Sequence, residues 1–160
     1  MGAQVISFGF GKLALPLYNP EDPFRSPDSK ELVSLFERCD GIIVASPSYH
    51  GSISGTIKNA LDYTEDMVEK GIPYLEGKAV GCIGCGAGWQ GAVGALNTLR
   101  SIAHALRAWP TPMGVAVNTS QQPFDSNGSL DQRLEMQLEL VGSQVMAFAL
   151  AQPNVSRERI

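Results

Sequence analysis

Gly41-Ile42-Ile43-Val44-Ala45-Ser46-Pro47-Ser48-Tyr49-His50-Gly51-Ser52-Ile53-Ser54-Gly55 is the run whose reading decides the fold. Residues 42–46 are uncharged, largely apolar and stopped by a proline, which predicts a strand buried on both faces in a parallel sheet. Pro47 to Ser54 is polar and contains glycine, so it reads as a loop. Behind it Ile57, Ala60, Leu61, Met67 and Val68 keep helical spacing on one face, closed by Gly71 and Pro73. Strand, loop and helix thus follow one another within a short span.

Outward from this unit the alternation repeats. Upstream, Val5, Ile6 and Phe8 predict a strand over residues 4–8, and Pro16 and Pro20 forbid a helix directly after it. Ser26-Pro27 supplies an N-cap and a proline at the first helical position, and Leu32, Leu35, Phe36 and Cys39 continue as an amphipathic helix to Asp40-Gly41. Downstream, residues 79–84 predict a second buried strand ending in Gly84-Cys85-Gly86-Ala87-Gly88. Val93, Leu96, Leu99, Ala103 and Leu106 predict a helix stopped by Pro110. A strand over 113–118 follows, and Ser129-x-x-Gln132 reads as a capping box opening a last helix that contains Leu130, Leu134, Leu138, Val141, Val145 and Phe148. Four strands alternating with four helices predict an α/β fold: an open parallel sheet with helices on both faces, three-layer α/β/α. No repeat or linker divides the 160 residues, so one domain over 1–160 is expected.

Composition narrows the function. With 44% hydrophobic and 18% charged residues the chain is of ordinary globular type, and its net charge of −4 without a Lys/Arg block argues against nucleic acid or an anionic membrane as partner. A small-molecule ligand is the expectation. No apolar run approaches the ~18–20 residues that cross a bilayer, and no secretion signal opens the sequence, which points to the cytoplasm. Cys39, Cys82 and Cys85 are read as reduced, because three thiols cannot all pair and a chain of this length needs no disulfide staple.

In an open parallel sheet ligands lie beyond the carboxyl ends of the strands, so the informative loops are 47–54, 84–91 and 119–128. The first opens a helix whose free N–H groups favour an electron-rich ligand, and its one aromatic, Tyr49, suits a flat ring. A plain strand-to-helix turn, with Tyr49 covering the core and the serines capping the helix, explains the same residues. In the second loop Gly86 to Gly91 matches G-x-G-x-x-G. The acidic residue that a dinucleotide fingerprint places about 20 positions on is lacking, since no Asp or Glu occurs between Glu76 and Asp125. Cys82-Ile83-Gly84-Cys85 is formally C-x-x-C but falls in a predicted strand, so core cysteines are expected rather than a redox pair.

From Ile43 to Tyr63 the chain resembles the NADPH-dependent FMN reductase family, whose pattern is a P-x-Y loop followed by S-x-x-G-x-[LI]-K-N-A-[LI]-D. Leu15-Pro16-Leu17-Tyr18 resembles that family's L-P-L-Y segment, and Gly84 to Gly88 its glycine-rich loop. The resemblance implies a flavodoxin-like fold and an FMN-dependent oxidoreductase taking hydride from NADPH, with NADH possible, and delivering electrons to a small-molecule acceptor such as a flavin or quinone. It further implies that Pro47, Ser48, Tyr49, His50, Gly51, Ser52 and Ile53 line the flavin ring. Gly84, Cys85, Gly86, Ala87, Gly88 and Trp89 then border the ring and the nicotinamide approach. No side chain is assigned a catalytic role, because hydride passes between the two cofactors. Trp89 is a lid or an interface aromatic. Lys58, Asn59 and Asp62 are structural or interface polar groups. Homodimers or homotetramers through helices near 55–70 and 89–108 are also implied.

Two departures accompany the resemblance. His50 stands where asparagine is common, and a flavin contact and a structural role are both open for it. The family's first strand and its G-S-x-R-x-x-S type phosphate loop have no counterpart before Leu15. Gly9-Phe10-Gly11-Lys12 does not substitute, since Pro16 and Pro20 leave no room for the phosphate-binding helix. Either Met1 is not the natural start, or the strand at residues 4–8 moves into the vacant central place, or a second chain fills it. The alternative function is therefore a flavin-free interaction or regulatory protein on the same fold.

Overall fold

The computed structural model describes residues 2–9 and 11–152. Helix α1 is Pro27–Arg38, with the Ser26 hydroxyl accepting from the Ser29 N–H and Pro27 at its first turn. Strand β1, Gly41–Tyr49, turns back into the two-residue β2, Ser52–Ile53. Helix α2 is Gly55–Asp62, capped by Ser54, and α3 is Glu65–Val68. Strand β3, Ala79–Gly86, leads into α4, Trp89–Ala105. Strands β4, Trp109–Pro110, and β5, Val115–Asn118, are followed by a 3-10 turn at Thr119–Gln121 and the long α5, Gln132–Ala151.

The sheet runs β2-β1-β3-β4, with β5 also on β3. β1, β4 and β5 are parallel to β3, and only β2 is antiparallel. Period-two alternation sends Ile42, Val44, Val80 and Cys82 to one face, where α1, α2 and α4 cover them with Leu32, Phe36, Leu61, Leu99 and Ala103. Ile83 and Cys85 join Val115, Val117, Leu134 and Val141 under α5 on the other face. The arrangement is the expected three-layer α/β/α. β3 is paired along both edges and carries the middle of the sheet.

Several expectations are corrected. Residues 4–8 form no strand: they have no ladder partner, Val5 is 84% exposed, and only Phe8 of this stretch packs on the core. β1 is longer than residues 42–46 and continues through Pro47, which an edge strand tolerates because no outer neighbour requires its missing N–H. It is not buried on both faces. Beside Gly41–Pro47 the pairing is with β3 alone, and on the α5 side Ile43 is 51% exposed and Ala45 is exposed. The helix predicted over 57–68 is two helices, broken at Tyr63–Thr64, where the Thr64 hydroxyl bonds the Leu61 carbonyl. The strand predicted over 113–118 is shorter, and β4 precedes it along the same edge of β3, separated by residues 111–114, which contain Pro112. α5 begins two residues later than the capping box implies: Asp131, not Ser129, accepts from the N3 amide of Leu134, and Leu130 lies outside the helix.

Candidate functional site

The loop predicted over 47–54 is a β-hairpin. Ser48 pairs with Ile53 and Tyr49 with Ser52, leaving His50-Gly51 as the two-residue connection. Both connecting residues have positive φ, +49° for His50 and +87° for Gly51, as a type I′ hairpin turn requires. This explains an asparagine at position 50 in the pattern and a histidine here, because Asn, Asp and His enter left-handed backbone most readily among residues with a Cβ. His50 is exposed and occupies the first left-handed position of the turn. His50→Asn is expected to leave stability within about 0.5 kcal/mol of the parent, and His50→Val to lower it by about 1–2 kcal/mol in urea unfolding.

Tyr49 at the tip of β1 is 59% exposed, so it does not cover the core. Ile53 does, as a member of the main cluster. Ser54 caps α2 by accepting from the Thr56 N–H at 3.2 Å. The serine-cap reading of the loop is therefore right for Ser54 and wrong for Tyr49.

The glycine loop divides by function. A Cβ on Gly84 would stand 2.3 Å from the Ala92 carbonyl oxygen, and one on Gly86 would stand 2.7 Å from the Ala92 nitrogen. These glycines let the backbone of α4 lie directly on β3, so their bareness serves helix packing rather than approach to a nucleotide. Gly88 has open space beside it and is the N-cap of α4, where no side chain supplies a cap. The first N–H groups of α4 thus lack a side-chain acceptor at the carboxyl end of the sheet. Ala87 and Trp89 are exposed at the same rim.

Sequence reading did not find how the two loops meet. A Cβ on Gly91 would lie 3.1 Å from the Ser48 hydroxyl, so the first turn of α4 abuts the hairpin. The Thr119 hydroxyl donates to the Gly86 carbonyl at 3.1 Å and ties in the third loop. Neither contact has a motif, since each pairs elements far apart in sequence. The hairpin and the glycine loop are uncharged: between Ser46 and Thr56 only Tyr49 and His50 are ionisable, and between Ala79 and Leu99 only the two cysteines. These two loops suit a flat, largely neutral ring received by backbone donors and exposed aromatic faces and offer no carboxylate, while the third loop's Asp125 accepts from the Asn127 and Ser129 N–H groups at 2.8 Å.

Of the polar residues behind the hairpin, Asn59 accepts from the Tyr18 N–H at 2.8 Å and donates to the Pro16 carbonyl at 2.9 Å. Tyr63 donates its hydroxyl to that same carbonyl at 2.9 Å. Lys58 pairs with Asp62 along the exposed side of α2. Asn59 and Tyr63 thus fasten the chain at Pro16 and Tyr18. Among the described residues of the segment 9–12, Lys12 is engaged with Glu31 at 2.6 Å and its N–H with the Gly9 carbonyl, so its charge is already paired; Phe10 lies outside the described residues.

The cysteines are free. Cys82 and Cys85 sit three residues apart on one strand and face opposite sides of the sheet, which forbids a redox pair. Burial raises all three thiol pKa values, Cys82 from 9.0 to about 11. A proton held more tightly in the folded state gives stability that is complete below pH 9.0 and lost as pH rises through about 11. Iodoacetamide should label the native chain slowly, and Cys82→Ala should flatten the fall of stability across that alkaline window.

The family model described as NADPH-dependent FMN reductase matches residues 1–122. An NADPH azoreductase of Bacillus sp. (strain OY1-2) is 30% identical over 105 residues, covering 65% of this chain and 56% of the relative. An FMN-dependent NADPH-azoreductase of Staphylococcus aureus is 30% identical over 127 residues, covering 78% and 64%. The chain thus spans roughly three-fifths of the length of these relatives. Among solved structures, FerB of Paracoccus denitrificans, a flavoenzyme NAD(P)H:(acceptor) oxidoreductase, superposes with a TM-score of 0.63 at 24% identity, covering 86% of this chain and 75% of that one. An oxidoreductase of Corynebacterium diphtheriae gives 0.62 at 16%, covering 81% and 66%. These likenesses establish the flavodoxin-like fold.

Proposed function

Because the chain belongs to the NADPH-dependent FMN reductase family, we propose that it is an FMN-dependent oxidoreductase that takes hydride from NADPH, or NADH, and passes electrons to a small-molecule acceptor. The acceptor class is a flavin, a quinone or an azo compound, the last suggested by the names of two relatives. The observation that carries the reading is the abutment of Ser48 on Gly91, which joins the Tyr49 hairpin and the uncapped start of α4 into one uncharged rim. Residues 47–52 and the rim at residues 87–89 would hold the ring there, while Ile53, Gly84, Cys85 and Gly86 pack inward. When bound, FMN supplies the electron-accepting ring that a protein side chain lacks. The chain's own contribution is to present backbone donors from the first turn of α4, to flank the ring with Tyr49 and Trp89, and to keep charge and competing acid–base groups away.

In this reading the described residues fit the ring end of FMN and contain no phosphate cradle, so affinity rests on the ring. We read 1–160 as one domain acting in the cytoplasm as a homodimer or homotetramer. Among the described residues no helix is long and apolar enough to cross a membrane, and the free cysteines suit a reducing compartment. A second reading, a flavin-free interaction protein, is favoured by the unpaired edge of β1 with its half-exposed Ile43.

An absorbance titration separates the two readings. With FMN added to the purified chain, the enzyme reading expects perturbed flavin bands near ~450 nm that bleach on anaerobic NADPH at a rate proportional to protein. No binding up to millimolar FMN would remove the enzyme reading and leave the interaction protein.

A further inference from the structure

Ser46 is 1% exposed on β1, and its hydroxyl both accepts and donates. It accepts from the Ser54 N–H at 2.9 Å and donates to the Pro47 carbonyl at 2.9 Å. The same Ser54 N–H lies 3.1 Å from the Pro47 oxygen. Three atoms therefore close a clasp across the base of the hairpin, joining the point where β1 leaves the core to the residue that caps α2. The hairpin itself has only two residue pairs and a two-residue turn, too little to hold its own angle in water. Its tip carries Tyr49, and its flank carries the Ser48 that meets Gly91. Ile53 seats the returning strand in the main cluster, and the attachment at the base fixes where the chain leaves β1.

We propose that Ser46 is the positioning residue of the ring-facing hairpin, acting through Ser54 and Pro47 and touching no ligand itself. The proposal rests on the functional reading for its consequence but not for its geometry. Without the hydroxyl, Ser54 N–H keeps only the Pro47 carbonyl, and that carbonyl loses a donor in a buried place. The hairpin then opens locally while the sheet beneath it stays paired.

The test compares Ser46→Ala, Ser46→Thr and Ser29→Ala. Ser29 is a second fully buried serine, with its hydroxyl on the Ser26 carbonyl at 2.9 Å in α1, and it controls for the general cost of deleting such a group. Amide exchange, read by NMR, is expected to rise about tenfold at Ile53, Ser54 and Thr56 in Ser46→Ala, to stay near the parent rate there in Ser29→Ala, and to be restored in Ser46→Thr. Riboflavin, which has the ring but no phosphate, is expected to bind about tenfold more weakly to Ser46→Ala and near normally to the other two. Exchange that rises equally everywhere in Ser46→Ala and Ser29→Ala overturns the clasp. Local opening with unchanged riboflavin affinity overturns the positioning role. Should the parent chain bind neither riboflavin nor FMN, it is the functional reading that fails, and the exchange comparison still decides whether Ser46 holds the hairpin.

Discussion

Gly84→Ala is expected to lower stability by about 3 kcal/mol or more in urea unfolding, at or above the upper end of the usual cost of overpacking. Most added methyl groups meet side chains that can turn aside. Here the new carbon would stand 2.3 Å from the Ala92 carbonyl oxygen, 2.5 Å from the Leu96 nitrogen and 3.1 Å from the Leu96 Cα, all backbone atoms of α4. Relief requires moving the helix away from β3, and with it the contacts of Ala92, Ala95, Leu99 and Ala103, which the helix buries. The small residues on that face show how close the approach is. Gly94→Ala supplies the contrast: it lies in the same helix with open space beside it, and helix propensity predicts a gain of up to about 1 kcal/mol. A Gly84→Ala variant within about 1 kcal/mol of the parent would mean that α4 can slide on the sheet, and the argument from backbone contact would fail.

That glycine shows where sequence reading stops. The strand, the helix and the glycine-rich turn between them were all legible, because period-two and 3.6-residue patterns are local. Why Gly84 is glycine was not, since the atoms that exclude a side chain come from the far side of a turn. The same holds for the edge of β1. The continuous apolar run Ile42 to Ala45 reads as buried on both faces, yet the structure leaves Ile43 and Ala45 exposed on the α5 side, because burial depends on neighbours the run cannot encode. Residues 4–8 have the residue types of a strand and no partner to make them one. His50-Gly51 is the converse case. Its positive φ values could have been read as a two-residue hairpin turn from the glycine and the flanking alternation, had a histidine been allowed the place of asparagine.

Asp66→Ala is expected to cost about 2–3 kcal/mol, somewhat below the loss for a fully buried ion pair. Asp66 receives the Arg25 guanidinium through two bonds, 2.6 Å and 2.9 Å, and both side chains keep 16% of their exposure. Arg25 lies over the rings of Tyr18, 5.0 Å from its centroid, and Tyr63, 5.8 Å away, and bonds the Phe24 carbonyl at 2.9 Å. The Asp66 carboxylate pushes the Arg25 pKa further up, and a guanidinium keeps its charge in a protein with or without that partner, so removing Asp66 leaves an unpaired cation. Arg25→Met removes the cation but keeps much of the stem against the rings, and is expected to cost about 1–2 kcal/mol. If the pair acts as a unit, Arg25→Met/Asp66→Ala should be no less stable than Asp66→Ala alone. Simple additivity of the two losses would count against it. The pair also explains the signature behind the hairpin. Asn59 and Tyr63 hold the backbone of Pro16 and Tyr18, and Asp66 holds Arg25, so residues of α2, α3 and the turn between them fasten the segment from Pro16 to Arg25 over the core. The most recognisable stretch of this chain thus combines a short hairpin at the candidate site with the fastenings that hold a strandless segment in place.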